Sequence, residues 1–147
     1  MKTVFLLGRL IFGGFFLYGG LNHLRERKNM SQYVASKNVP FPEAAVTATG
    51  AVLLLGGASV LLGVKPKVGT LAIMGFLAGV SPIMHDFWRA EDPAQRQNDM
   101  VHFMKNMAML GAAMALMAHE EPWPVSVPIG QPNRLDRIKR FAQQVAA

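Results

Sequence analysis

The chain has 147 residues, 51% hydrophobic against 16% charged, and its apolar residues are gathered into four runs rather than spread as faces. That is the composition of a membrane protein, and with no cysteine the chain can form no disulfide and supplies no thiol for redox chemistry of its own. The formal charge of +6 would suggest nucleic acid, but the bases flank spans, fill a short loop or lie in the tail, where juxtamembrane anchoring accounts for them.

The apolar runs cover residues 4 to 21, 44 to 63, 68 to 84 and 101 to 118. Each is close to the roughly 20 residues that cross about 30 Å of hydrocarbon, so the expected fold is all-α, a polytopic four-helix membrane bundle. A soluble bundle of this size would need polar outer faces, and residues 44 to 63 have none. Strands are disfavoured because the runs are long and rich in Leu, Ala and Gly.

The first run, with Lys2 before it, has the outline of a signal peptide. Arg9 within the run, and the lack of a small-x-small site before "LNHLRERKN", predict that it is retained. A polar connection follows as far as Pro40 and Pro42, and the second span starts near Glu43. Only "VKPK" joins the second span to the third, which makes them antiparallel neighbours. Pro82, one turn before the third span ends, should kink the helix or free carbonyls near His85. Gly75 and Gly79 have GxxxG spacing, and together with the other glycines of the spans they predict close helix packing. After the fourth span, "HEEPWPVSVPIGQPN" is too proline-rich for helix or central strand. The last segment then repeats Leu135, Ile138, Phe141 or Ala142, and Val145 at helical spacing behind a candidate N-cap, Asn133, which predicts a C-terminal amphipathic surface helix.

Four spans put both termini and the "VKPK" loop on one membrane face, face A, and the two longer connections on the other, face B. Excluding Arg9 and Lys105, face A carries seven Lys or Arg and face B six, so the basic tail, drawn to anionic lipid, favours a cytoplasmic face A. This topology brings His23, His85, Asp86, His102, Lys105 and Asn106 to one depth under face B. Asp99, His102, Lys105 and Asn106 lie at i, i+3, i+6 and i+7, on one helical stripe. Individually such residues can simply snorkel to the headgroups, and Asp86 can pair with Arg89. Converging from several helices, they predict a polar pocket, because charge inside a membrane is costly and faces interior cavities. Arg9, with no acid in its own span, must snorkel or bind an anion, a carbonyl or a lipid headgroup. Haem b ligation by the histidines is disfavoured by the lack of a local motif, and copper by the routine packing role of Met100, Met104, Met107 and Met114.

"HDFWRAEDPAQRQNDMVHFMKNMAMLGAA", with "GRLIFGGFFLYGGLNHL" and "SVLLGVKPKVGTLA", closely resembles the DoxX family of small bacterial four-helix membrane proteins, over roughly residues 4 to 118. The resemblance implies a four-span domain over residues 1 to 120, with residues 121 to 147 as a tail. The family takes its name from a membrane subunit of a thiosulfate:quinone oxidoreductase, and its members are described as oxidoreductases or redox-associated subunits. Carried over, it marks Arg9; His85, Phe87 and Trp88; and Phe103, Lys105 and Asn106. Where many relatives have a Glu before a glycine pair, this chain has Leu53, so a mechanism needing that carboxylate does not transfer.

The ligand-binding set expected from residues and resemblance together is His85, Asp86, His102, Lys105, Asn106, Arg9 and His23. Two functions compete. One is a redox-associated subunit holding a quinone-like or small apolar molecule with polar ends; the other is a non-catalytic scaffold of a larger complex. The expected location is the inner membrane, with lipids and other membrane or redox proteins as partners, self-association allowed, and no nucleic acid.

Overall fold

The computed structural model describes residues 2–127, so the amphipathic helix expected after Asn133 lies outside the described residues. Five helices follow in order: α1 Lys2–Arg25, α2 Arg27–Ser36, α3 Pro42–Leu62, α4 Pro66–Met84 and α5 Pro93–Met117. All but α2 are long and apolar enough to cross a membrane. The local reasons are simple. Pro42, Pro66 and Pro93 each occupy the start of a helix, where a missing N–H costs nothing. Asp92 caps α5, its Oδ2 accepting from the Gln95 amide at 2.8 Å. α3 ends at Gly63, whose φ of 68° suits glycine, and Ser59 Oγ fastens the turn by donating to Val64 O at 2.7 Å.

Two features depart from the sequence expectations. The connection before α3 is not simply a polar loop: most of it is α2, an extra helix. α5 starts eight residues before the apolar run at 101, so Gln95 is helical along with Asp99. α4 ends at Met84, one turn after Pro82 as expected, and the His85 amide closes the last turn on Ser81 O at 3.0 Å.

α1 packs most closely on α3, α3 on α4 and α4 on α5, with α2 lying against α3. Glycine sets the α1–α3 distance. A Cβ at Gly13 would stand 3.1 Å from Gly57 O, and one at Gly20 would stand 2.8 Å from Gly50 O, so the backbones meet at two facing pairs. Gly75 and Gly79 correct the expectation placed on them: a Cβ at either meets nothing within 4 Å, so this GxxxG does not pack helices together.

The surface is apolar and the interior contains polar groups, as lipid surroundings require. Ile11, Tyr18, Leu55 and Val101 face outward, while Arg9, Thr70, Ser81, Asp99 and Asn106 are buried, as are Phe12, Phe16, Leu53, Val60, Ile73 and Leu77. The proline-rich segment after α5 folds back over the face A end. Trp123 is buried in the core cluster against Phe5, and the Val127 amide donates to Leu62 O at 2.8 Å.

Candidate functional site

Arg9 belongs to that face A end and is not brought to the other expected site residues. It is 1% exposed, and its Nη1 and Nη2 donate to Pro124 O at 2.7 Å, Val125 O at 2.9 Å and Leu61 O at 3.3 Å. Of the partners open to it from the sequence, backbone carbonyls hold it. The guanidinium clamps the returning segment onto α1 and α3.

The face B end is built differently. Asp99, on α5 and 1% exposed, accepts from Gln95 Nε2 at 2.8 Å. His85, at the end of α4, approaches it with Nδ1 3.4 Å from Oδ1. Lys37, from the turn after α2, reaches Asp86 Oδ1 at 2.6 Å and Asp99 Oδ2 at 3.6 Å, so Asp86 pairs with Lys37 rather than with Arg89. Tyr33 of α2 donates to Met84 O at 3.4 Å. On α5, Lys105 Nζ lies 3.1 Å from His102 Nδ1, and the His102 ring stacks on His85 with centroids 5.0 Å apart. Phe87, Trp88 and Phe103 lean edge to face on one another, joining the α4–α5 connection to α5.

These contacts shift protonation. Burial pushes the His85 imidazole below its ordinary pKa, with His102 and Lys105 adding to the shift and Asp99 opposing it. The bond from Lys37 holds Asp86 below the usual carboxylate range. Burial works against the charge on Lys37, but the Asp86 bond and the field of Asp99 outweigh it and leave the ammonium above its ordinary value. Burial, and then Asp99, push Tyr33 up.

Beneath this network lies a cavity of about 630 Å³. His23, Tyr33, His85, Lys105 and Asn106 give it a polar end, and Phe16, Leu53, Leu77 and Met109 apolar walls. Gly75 and Gly79 line it too, which explains the open space over both: they widen the cavity. His23 Nδ1 donates to Gly19 O at 2.8 Å, and the ring meets Phe76 edge-on. Leu53 contributes to the apolar wall. Asp86 and His102 stand behind the lining residues.

Sequence reasoning missed Lys37, Tyr33, Gln95 and the lining role of the two glycines. Only Met30, Tyr33 and Val34, at i, i+3 and i+4 in a polar stretch, signalled a short helix with one inward face.

No curated protein matches the chain, and no solved structure matches it. The DoxX family model matches residues 4–86, more than half of the chain, ending at the Asp86 that meets Lys37. Likeness in α5 therefore rests on the residues quoted above alone, while the match over α1 to α4 takes in three of the four long apolar helices of a multi-pass membrane protein. The chain belongs to the DoxX family.

Proposed function

We propose that the protein is a redox-associated subunit of the bacterial inner membrane, with face A cytoplasmic, that holds a quinone-like or similar apolar molecule in the face B cavity. The observation that carries this reading is the cavity itself: about 630 Å³ of largely apolar space ending in His23, Tyr33, His85, Lys105 and Asn106. Ligand sites of this kind combine apolar walls with a few convergent polar groups. A structural cluster serving only to hold helices together would be expected to close around its polar residues. Here two glycines leave room beside them. Lys105 and Asn106 would hold the polar end of the molecule, and the Asp99–His85 pair would orient it and exchange protons with it.

The test compares the purified full chain with Gly79→Leu, which fills the cavity without meeting backbone. Lipid extracts and absorption spectra should show a co-purifying quinone-type molecule with the parent, and binding of a decyl-substituted quinone should weaken at least about tenfold in the variant with unchanged melting, the equivalent of about 1.4 kcal/mol. The competing scaffold reading draws on α5, whose Met100, Val101, Met104 and Met114 are exposed. Stoichiometric protein partners with no bound small molecule, and no binding by the parent, would replace the proposed reading with that one.

A further inference from the structure

If the cavity binds a small molecule as proposed, the side chains at its polar end also specify which chemical form it takes. Asp99 is a buried carboxylate with Gln95 donating to one oxygen, the Lys37 ammonium 3.6 Å from that same oxygen, and His85 Nδ1 3.4 Å from the other. A ring nitrogen facing a carboxylate at that distance must present its hydrogen, since two lone pairs would repel. Nδ1 therefore carries the proton. Burial beside His102 and Lys105 keeps His85 neutral, so its other nitrogen, Nε2, holds a lone pair. Among the described residues Nε2 has no hydrogen-bond partner, and His85 lines the cavity.

The neighbouring ring has the opposite polarity. Lys105 can only donate, so His102 Nδ1, 3.1 Å from its Nζ, is the accepting nitrogen. The two stacked imidazoles thus carry opposite tautomers, fixed by Asp99 on one side and Lys105 on the other. Asn106 supplies a second, independent sign of a ligand. It is 7% exposed, lines the cavity, and its side chain makes no hydrogen bond among the described residues. The amide opens onto the cavity, where a bound oxygen is a partner to which it can donate.

We infer that the cavity selects an aryl hydroxyl, as in a hydroquinone or an alkylphenol, over a quinone carbonyl: the O–H donates to His85 Nε2 while Lys105 and Asn106 donate to the same oxygen. Asp99 touches no ligand and acts as a positioning residue that sets the His85 tautomer. A quinone carbonyl would set its lone pairs against that of Nε2 and leave the nitrogen unpaired.

The experiment measures binding calorimetrically, without oxygen, to the full chain in detergent. The probes are a decyl-substituted hydroquinone, its dimethyl ether, the matching quinone, and octylphenol. The hydroquinone should bind about tenfold or more tighter than the ether and the quinone, roughly one net hydrogen bond. Whichever of the hydroquinone and octylphenol binds more tightly identifies the source of the hydroxyl. Asp99→Asn lets an amide N–H face His85 Nδ1 and moves the ring proton to Nε2, so the preference should shrink or reverse toward the quinone. Should that variant fold poorly, His85→Phe keeps a ring against His102 without the acceptor and should lose the preference while still binding the ether. Equal or tighter binding of the quinone or the ether by the parent overturns the hydroxyl assignment and leaves the cavity reading standing. Binding of none of the four compounds overturns both.

Discussion

The two ends of the bundle each hold a cation, and they use it in opposite ways. At face A, Arg9 is 1% exposed and its terminal nitrogens are committed to three backbone carbonyls. Carbonyls neither titrate nor swing away, and with Trp123 of the returning segment buried in the core this end is closed over by the chain itself. At face B, the side chain of Lys37 is 19% exposed and meets two carboxylates, one of which also serves a histidine and a glutamine. Those partners can change charge, move, or accept a different donor, and a cavity lies beside them. A cation held by backbone makes structure; one held by titratable side chains beside a void can respond to a ligand or to pH.

The largest expected effect tests the closed end. Arg9→Met should lower stability by about 3 kcal/mol or more, because three carbonyls lose a charged donor and each such bond is worth about 1.5–3 kcal/mol. Melting in detergent measures this, and hydroquinone binding by the folded protein should be unchanged. A loss below about 1 kcal/mol, with ligand binding reduced, would mean that Arg9 serves the cavity after all.

The next effect tests the responsive end. Lys37→Met leaves Asp86 and Asp99 without their cation, but with Lys37 and Asp86 partly exposed the loss should be about 1–2 kcal/mol, below the cost of breaking a fully buried pair. Because α2 lines the cavity through Met30, Tyr33 and Val34, ligand binding and release should both quicken in this variant. A stability loss as large as that of Arg9→Met, with unaltered ligand kinetics, would erase the distinction between the two ends.

How much of this was legible follows the same division. The four spans could be read because length and hydropathy alone determine a crossing, and the face B cluster because topology fixes depth. What failed depended on direction around a helix axis. Gly13, Gly20, Gly50 and Gly57 pack α1 on α3 while Gly75 and Gly79 border the cavity, and spacing alone does not tell one set from the other. Lys37 escaped notice because its partner Asp86 is 49 residues away and it lies in a turn after a helix whose charges mask its short apolar stripe. Trp123 was hidden for a different reason. Prolines exclude regular structure around it but say nothing about where the segment docks.

A smaller effect concerns pH. The His85 pKa is lowered in the folded protein, so as pH falls the unfolded chain takes up that proton first, near the ordinary value of about 6.5. The stability His85 contributes is thus fully present above that value and is lost as pH falls toward the lower folded-state pKa. Asp86, also lowered, adds a second loss at more acidic pH, below the ordinary carboxylate range. Melting followed from neutral pH to below the ordinary carboxylate pKa of about 3.9 should therefore decline, His85→Phe should flatten the upper part of the decline, and Lys37→Met the lower part. Arg9→Met should leave the slope as it is, because carbonyls do not titrate. An unchanged slope in His85→Phe would show that the histidine is as free to charge as it is in the unfolded chain.

The smallest effect decides whether the face B residues form one network. His85 and Lys105 do not touch; the link runs from Lys105 to His102 Nδ1 and through the stacked rings to His85. Each of those steps loses strength, so in a cycle of His85→Ala and Lys105→Met the coupling should sit near the bottom of the usual range for shared networks, about 0.5 kcal/mol. Lys65→Met provides the scale, since it removes the same charge from the αL residue that precedes α4 and should change stability by less than about 0.5 kcal/mol. Adding His102→Phe to the cycle locates the path: it keeps a ring for His85 to stack on but removes the nitrogen that accepts from Lys105. The His85–Lys105 coupling should then vanish while the stacking contribution of the ring survives. Coupling that persists without the His102 nitrogen would mean that the two residues communicate across the cavity itself, through whatever molecule occupies it. Repeating the cycle with and without bound hydroquinone separates those two routes.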